Sequence, residues 1–158
     1  MTIVAYREGV LATDSQATNH DGVISGSVRK IWVRMDGALC SAAGGTGDMG
    51  SFAAWFLADS KEQGRWRGRS KEHGFSGIIV EPDGQVTLYD IDGQPYRMDA
   101  PFYARGVGSE LAIGAMAMGA TAEQAVEIAC RYSTYCGGPV QVERLPPQAC
   151  LDTRRGDK

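Results

Sequence analysis

The sequence predicts an α+β protein in which strands and helices are segregated along the chain. Two observations carry this. Short runs rich in β-branched and aromatic residues, separated by glycine turns, fill the first half. Apolar residues at helical spacing are confined to three places, so the order is strands, one helix, strands, two helices and a last strand. That is not the alternation that βαβ winding requires.

Residues 2–6 and 10–13 flank Arg7-Glu8-Gly9 and form the first expected hairpin. Taken as a three-residue turn, it places Thr2 opposite Asp14. Residues 31–35 and 38–42 flank Asp36-Gly37. As a two-residue turn this pairs Lys30 with Ala43, beside Gly44-Gly45-Thr46-Gly47-Asp48. A helix is expected over 52–57. The basic, glycine-punctuated stretch Lys61-Glu62-Gln63-Gly64-Arg65-Trp66-Arg67-Gly68-Arg69 reads as an exposed loop between residues 60 and 74. Strands follow at 78–80 and 86–89 around Asp83-Gly84, and a further turn at Asp92-Gly93. Helices are expected at 111–118 and 122–132, the latter with Ala125, Ile128, Ala129 and Tyr132 on one face and Thr121 with Gln124 as a capping box. The last strand covers 140–142. A Pro-Pro pair then opens a polar tail, giving one domain over residues 1–144 and a loose tail over 145–158.

Composition removes several classes of function. With 16 basic and 19 acidic residues the net charge is −3, which points to neither nucleic acid nor an anionic membrane as a partner. The longest apolar stretch, 111–120, is too short to span a bilayer and is interrupted by Gly114 and Gly119. No basic, then apolar, then small-residue leader pattern opens the chain. Cys40, Cys130, Cys136 and Cys150 contain no C-x-x-C pair, so reduced thiols in a cytoplasmic protein are expected, with no zinc site. Cys130, Cys136, Met116 and Met118 lie in apolar helical surroundings and read as core. H-E-x-x-H and G-x-S-x-G are absent, and Asp90-x-Asp92 meets Pro101 where a calcium loop needs glutamate. No metal and no cofactor are expected.

The chemistry converges on the N-terminal hairpin. A glycine-rich turn entering a helix offers N–H groups to a phosphate or to an acyl-transfer oxyanion. The absence of G-x-x-x-x-G-K-[ST], and Asp48 in the first helical turn, favour the oxyanion. Thr2 follows the initiator methionine and is small enough to permit its removal. Its hydroxyl would then attack a carbonyl with its own α-amine as base, a group that titrates near pH ~8. A retained methionine blocks that amine. No histidine is needed, which suits a chain whose His20 and His73 sit in polar, turn-like contexts. Lys30 would lower the cost of deprotonating Thr2, with Asp14 orienting it; the alternative is an ordinary salt bridge.

These segments, taken together, resemble the proteasome-type N-terminal-threonine peptidases, most closely the bacterial HslV (ClpQ) peptidases. Thr2-Ile3-Val4-Ala5-Tyr6-Arg7 is similar to the family's processed N-terminus, and Thr13-Asp14-Ser15-Gln16-Ala17-Thr18 to its Asp-Gly-Gln-Ala-Thr stretch. Gly26-Ser27-Val28-Arg29-Lys30-Ile31 resembles its glycine-to-lysine segment, Ala43-Gly44-Gly45-Thr46-Gly47-Asp48 its Ala-Gly-Gly-Thr-Ala-Asp, and Ala104-Arg105-Gly106-Val107-Gly108-Ser109 its later turn into a helix. The resemblance implies a four-layer αββα sandwich of the proteasome β-subunit kind. It implies Thr2 as nucleophile with Asp14 and Lys30 tuning it, and Ser41, Gly44, Gly45 and Ser109 around the oxyanion and substrate. It also implies a peptide or unfolded protein as substrate, a homo-oligomeric ring enclosing the site, and an ATPase unfoldase as partner. The chain departs from the pattern in length, a second helix of the family being reduced here to the basic loop after Ser60, and at three residues. Val107 stands where the family has an active-site serine, Ser133 where it has aspartate near the third helix, and Ser41 where glycine is common. A ring-forming scaffold that has lost turnover, or a small-molecule amidase of the same fold, are the alternatives to a peptidase.

Overall fold

The computed structural model describes residues 1–58, 64–69 and 74–147. Its first hairpin joins β1 (Ile3–Arg7) to β2 (Val10–Thr13), with Arg7 paired to Val10 and Val4 to Thr13. The turn is therefore Glu8-Gly9 alone, at φ 50° and 78°, the left-handed pair that a two-residue hairpin demands. It is one residue tighter than the sequence reading, and Ile3, not Thr2, comes level with Asp14. A small two-stranded sheet follows, β3 (Gln16–Thr18) with β4 (Ile24–Ser27). β5 (Ile31–Val33) and β6 (Leu39–Ala43) pair Ile31 with Ser41, and Arg34 N donates to Ala38 O at 2.9 Å. This turn is one residue longer than expected, Met35-Asp36-Gly37, which shifts Lys30 back towards Ala42.

The remaining elements are α1 (Thr46–Leu57), β7 (Ser76–Val80), β8 (Val86–Tyr89), β9 (Pro95–Met98), β10 (Phe102–Gly106), α2 (Ser109–Ala117), α3 (Ala122–Tyr132) and β11 (Gln141–Arg144). The molecule is thus mixed α+β, with antiparallel sheets and three helices among the described residues. One sheet has the order β10-β1-β2-β11 and another β5-β6-β7-β8-β9. The capping box forms as expected, Thr121 Oγ1 accepting from Gln124 N while Thr121 N donates to Gln124 Oε1. Helix α1 starts at Thr46 with Asp48 in its first turn, as the glycine-rich turn leads one to expect, and its apolar periodicity is readable only from 52.

Strand alternation sorts the core. Ile3 and Ala5 point to a cluster built with Ala112, Met116, Ala125, Val126 and Ala129 of α2 and α3. Val4, Tyr6 and Leu11 point the other way, to Ile31, Leu39, Ile78, Val80 and Leu88 of the five-stranded sheet. That sheet's opposite face, with Cys40, Ala42 and Ile79, packs on Met49, Phe52 and Phe56 of α1. Trp66, expected in an exposed loop, is 6% exposed, packed 5.0 Å from the Phe52 ring and 4.5 Å from that of Phe75, centroid to centroid. Its large apolar area outweighs the solvating pull of the flanking arginines. Arg7 reaches across to α2, its Nη1 donating to Met116 O (2.7 Å) and Ala120 O (3.0 Å). It so supplies the cation that α2's own last turn lacks. Beyond β11, Leu145 N donates to Gly9 O at 2.8 Å; residues 148–158, most of the expected tail, lie outside the described residues. No described helix is long and apolar enough to cross a membrane.

Candidate active site

The N-terminus is pinned at the start of β1, an inner strand of the β10-β1-β2-β11 sheet. Beyond β1, Thr2 O accepts from Val107 N at 3.0 Å, so the strand register carries one residue past the end of both strands. This closeness requires glycine at 106. Its φ is +95°, and a Cβ there would overlap the Thr2 carbonyl. Thr2 itself is 3% exposed.

Asp14 leaves β2 at the point where the chain turns into β3, and is fully buried. Its carboxylate has every lone pair engaged. Oδ1 accepts from Ile3 N (3.1 Å) and Lys30 Nζ (2.9 Å), and Oδ2 from Gln16 N (3.2 Å) and Gly137 N (3.2 Å). A buried charge with one cation and three backbone donors is stable where a bare one is not. Lys30 is 2% exposed, so the pair that the sequence could present only as an ion pair is a buried one. Its second bond is to Met1 O at 3.0 Å. That oxygen belongs to the peptide group whose nitrogen is the Thr2 N. The backbone of Lys30 is held on both sides, its N–H by Gln141 Oε1 (2.9 Å) and its carbonyl by Ser41 Oγ (2.7 Å).

A cavity of about 660 Å³ opens over this group. Thr2 and Lys30 form its floor, Gly44, Gly45 and Thr46 one wall and the β3 segment with Ala17 another. Gly45 caps α1 and offers no side chain to the first-turn N–H groups, so this rim is a donor edge of the kind that holds an anion. Close packing keeps the edge in place, since a Cβ on Gly44 would press on Gly74 O at 3.1 Å. Asp48 is 4% exposed, and its Oδ1 accepts from Arg69 N at 2.7 Å.

Asp14 and Lys30 are thus hydrogen-bonded to each other, Lys30 also holding the Met1 carbonyl that precedes Thr2, and Thr2, Lys30, Gly44 and Gly45 line the same cavity. Ser41 and Ser109 are not among its lining residues. Ser41 is buried beneath, its hydroxyl donating to Lys30 O, and Ser109 starts α2 after Gly108. Val107 does line the cavity, and Ser133 ends α3 with its Oγ accepting from Tyr135 N. The sequence reading missed Gln141 and Gly137, which hold Lys30 and Asp14 from 111 and 123 residues away. No local signal marks either. Exposed His20 is at the cavity rim; His73 lies outside the described residues. No cluster of metal-ligating side chains occurs among the described residues.

No protein-family model matches the chain, and no curated protein does. Among solved structures it is similar to Thiobacillus denitrificans BPH in complex with epoxomicin, with 19% identity, a TM-score of 0.63, and 92% of this chain against 99% of that one. Thiobacillus denitrificans BPH alone gives the same identity and TM-score over 93% and 99% of the two chains. At this identity the likeness speaks for the fold.

Proposed function

We propose that the chain is an N-terminal threonine hydrolase of the proteasome type, resembling HslV, which cleaves peptide amide bonds after Met1 is removed. The observation that carries the reading is the Lys30 ammonium, held at once by Asp14 Oδ1 and by Met1 O on the floor of the cavity. Cleavage of the Met1–Thr2 bond exposes the Thr2 amine two covalent bonds from the oxygen that Lys30 now holds.

In the processed chain the amine takes the hydroxyl proton as Thr2 Oγ attacks a substrate carbonyl. Lys30 opposes build-up of positive charge on that amine and favours negative charge on Oγ, and burial strengthens both effects. The tetrahedral oxyanion forms beside the N–H edge at Gly45 and Thr46. As the intermediate collapses, the amine returns its proton to the leaving nitrogen, and an ester on Thr2 remains. Water then attacks the ester with the same amine as base. The balance is one amide and one water consumed, one carboxylic acid and one amine formed.

The same reading makes the molecule a four-layer αββα sandwich. Its support is the order of the apolar clusters, helices α2 and α3 on one sheet, sheet on sheet, and α1 on the far side. The likeness to an epoxomicin-bound structure agrees with it. A peptide-cleaving site in the cytoplasm calls for enclosure, so a homo-oligomeric ring with an ATPase unfoldase belongs to the proposal. The observation that favours an inactive scaffold instead is Val107 on the cavity wall, a side chain that can neither donate nor accept a proton.

Intact mass and labelling by epoxomicin or another peptide epoxyketone decide the matter. The expected result is a chain lacking Met1 that gains one inhibitor mass, mapped to Thr2 and absent from Thr2→Ala. A processed chain that stays unlabelled would overturn the hydrolase reading in favour of the scaffold.

A further inference from the structure

The cavity over Thr2 carries charge of one sign. Lys30, Arg105 and His20 line it, and among the described residues no aspartate or glutamate does. Composition does not account for this, since the chain has 19 acidic residues against 16 lysines and arginines. The three basic groups are not equivalent. Lys30, on the floor, is spent on Asp14 Oδ1 and Met1 O. His20 is an exposed rim residue on the turn between β3 and β4. Arg105 remains, an exposed guanidinium near the end of β10.

Strand register aims Arg105 at this space. It pairs with Val4 across β10 and β1, and cross-strand partners share a face. The face of Val4 looks onto the five-stranded sheet. Thr2, two residues before Val4, is on that face and diagonal to Arg105, with Cα atoms roughly 7–8 Å apart. Tyr103, two residues before Arg105, packs against the apolar cluster between the sheets, so Arg105 stands where that layer ends and the cavity begins. Its guanidinium spans from one sheet to the other, Nη1 donating to Tyr96 Oη of β9 at 3.2 Å. A phenol does not cancel the charge, and Arg105 has no carboxylate partner among the described residues.

We propose, resting on the hydrolase reading above, that Arg105 selects substrates with an acidic side chain on the residue that donates the cleaved carbonyl. That residue stays on Thr2 through the ester stage, so its side chain is the part of the substrate that the cavity must seat. A glutamate carboxylate there meets a planar fork of N–H donors, which bonds both carboxylate oxygens in parallel as an ammonium does not. Tyr96 holds the fork in place, and the apolar lining at Met49, Phe75 and Val107 limits screening of the pair. A glutamine side chain has the same shape without the charge, and its NH₂ group turns donors toward donors.

Binding and labelling separate this proposal from the reading it rests on. Isothermal titration of the processed Thr2→Ala chain with two acetylated peptide amides, alike except for Glu or Gln at the last residue, needs no turnover. The Glu peptide is expected to bind about tenfold more tightly. Adding Arg105→Gln should remove that advantage, Arg105→Lys should keep part of it, and Arg105→Glu should turn the preference to a peptide ending in lysine. Equal binding of the Glu and Gln peptides, no binding by either, or a Glu preference that survives Arg105→Gln would overturn the proposal. A carboxylate from a neighbouring copy seated on Arg105 in the ring would give the first of these results. The processed, otherwise unaltered chain is then treated with epoxyketones carrying Glu or Gln at the same position. Labelling of Thr2 about tenfold faster by the Glu compound supports both readings, and equal rates overturn the specificity alone. Labelling by neither overturns the hydrolase reading, while the binding result stands.

Discussion

Replacing Lys30 by methionine keeps most of the side chain's volume and removes its charge, which leaves the Asp14 carboxylate buried without a cation. Breaking a buried pair in this way costs about 3–5 kcal/mol. Asp14 keeps its bonds from Ile3, Gln16 and Gly137, which places the loss at the lower end of that range. For a chain of 158 residues, ~3 kcal/mol lowers Tm by roughly 6–12 °C. Adding Asp14→Asn removes the stranded charge and recovers part of the loss. Recovery is incomplete because an asparagine NH₂ must face one of the backbone N–H groups that the carboxylate now accepts from. The expected coupling in the double-mutant cycle is about 1–3 kcal/mol, read from urea unfolding midpoints at unchanged slope. Additivity within ~0.5 kcal/mol would refute the buried-pair reasoning. Labelling separates stability from chemistry. The double variant folds and still fails to take the epoxyketone on Thr2; if it labels like the unaltered chain, Lys30 is a structural cation only.

Gly106→Ala drives a Cβ into the Thr2 carbonyl at a left-handed φ, and is expected to destabilise the chain by at least about 1–3 kcal/mol in urea unfolding and to abolish Thr2 labelling. Val107→Ser, placed on the cavity wall, should raise the labelling rate severalfold if the missing hydroxyl limits it; an unchanged rate removes Val107 from the argument. Asp36 is held below the usual carboxylate range by its hydrogen bonds from Arg34. Its contribution is therefore present above the unfolded-state pKa of about 4 and lost as pH falls through the lower folded value. With the Asp36 side chain 45% exposed, Asp36→Asn should flatten the acid limb of the stability profile by only ~0.2–1 kcal/mol. Light scattering at micromolar concentration should report a closed oligomer larger than a dimer, and a monomer would favour the small-molecule amidase.

Local physics was enough for much of this molecule. Glycine punctuation located the hairpins around residues 8, 36 and 83, and the capping box with its apolar face delimited α3 as Ala122–Tyr132. Elements without such signals were missed. β3, β4 and β9 are short and polar or exposed, so tertiary pairing and not pattern makes them strands. The two hairpin registers were each one residue off. Turn length depends on which φ values the flanking strands accept, and Glu8 takes a left-handed conformation that its residue type does not announce. Thr2, Asp14 and Lys30 could be named from the sequence as residues able to do acyl-transfer chemistry. Only the tertiary structure decided that Lys30 and Asp14 are buried, that one ammonium touches both the carboxylate and Met1 O, and that Gly137 and Gln141 hold the pair from the far end of the chain. Burial and long-range hydrogen bonds arise when separated segments close over one another, and a carboxylate's neighbours at that point bear no relation to its neighbours along the chain.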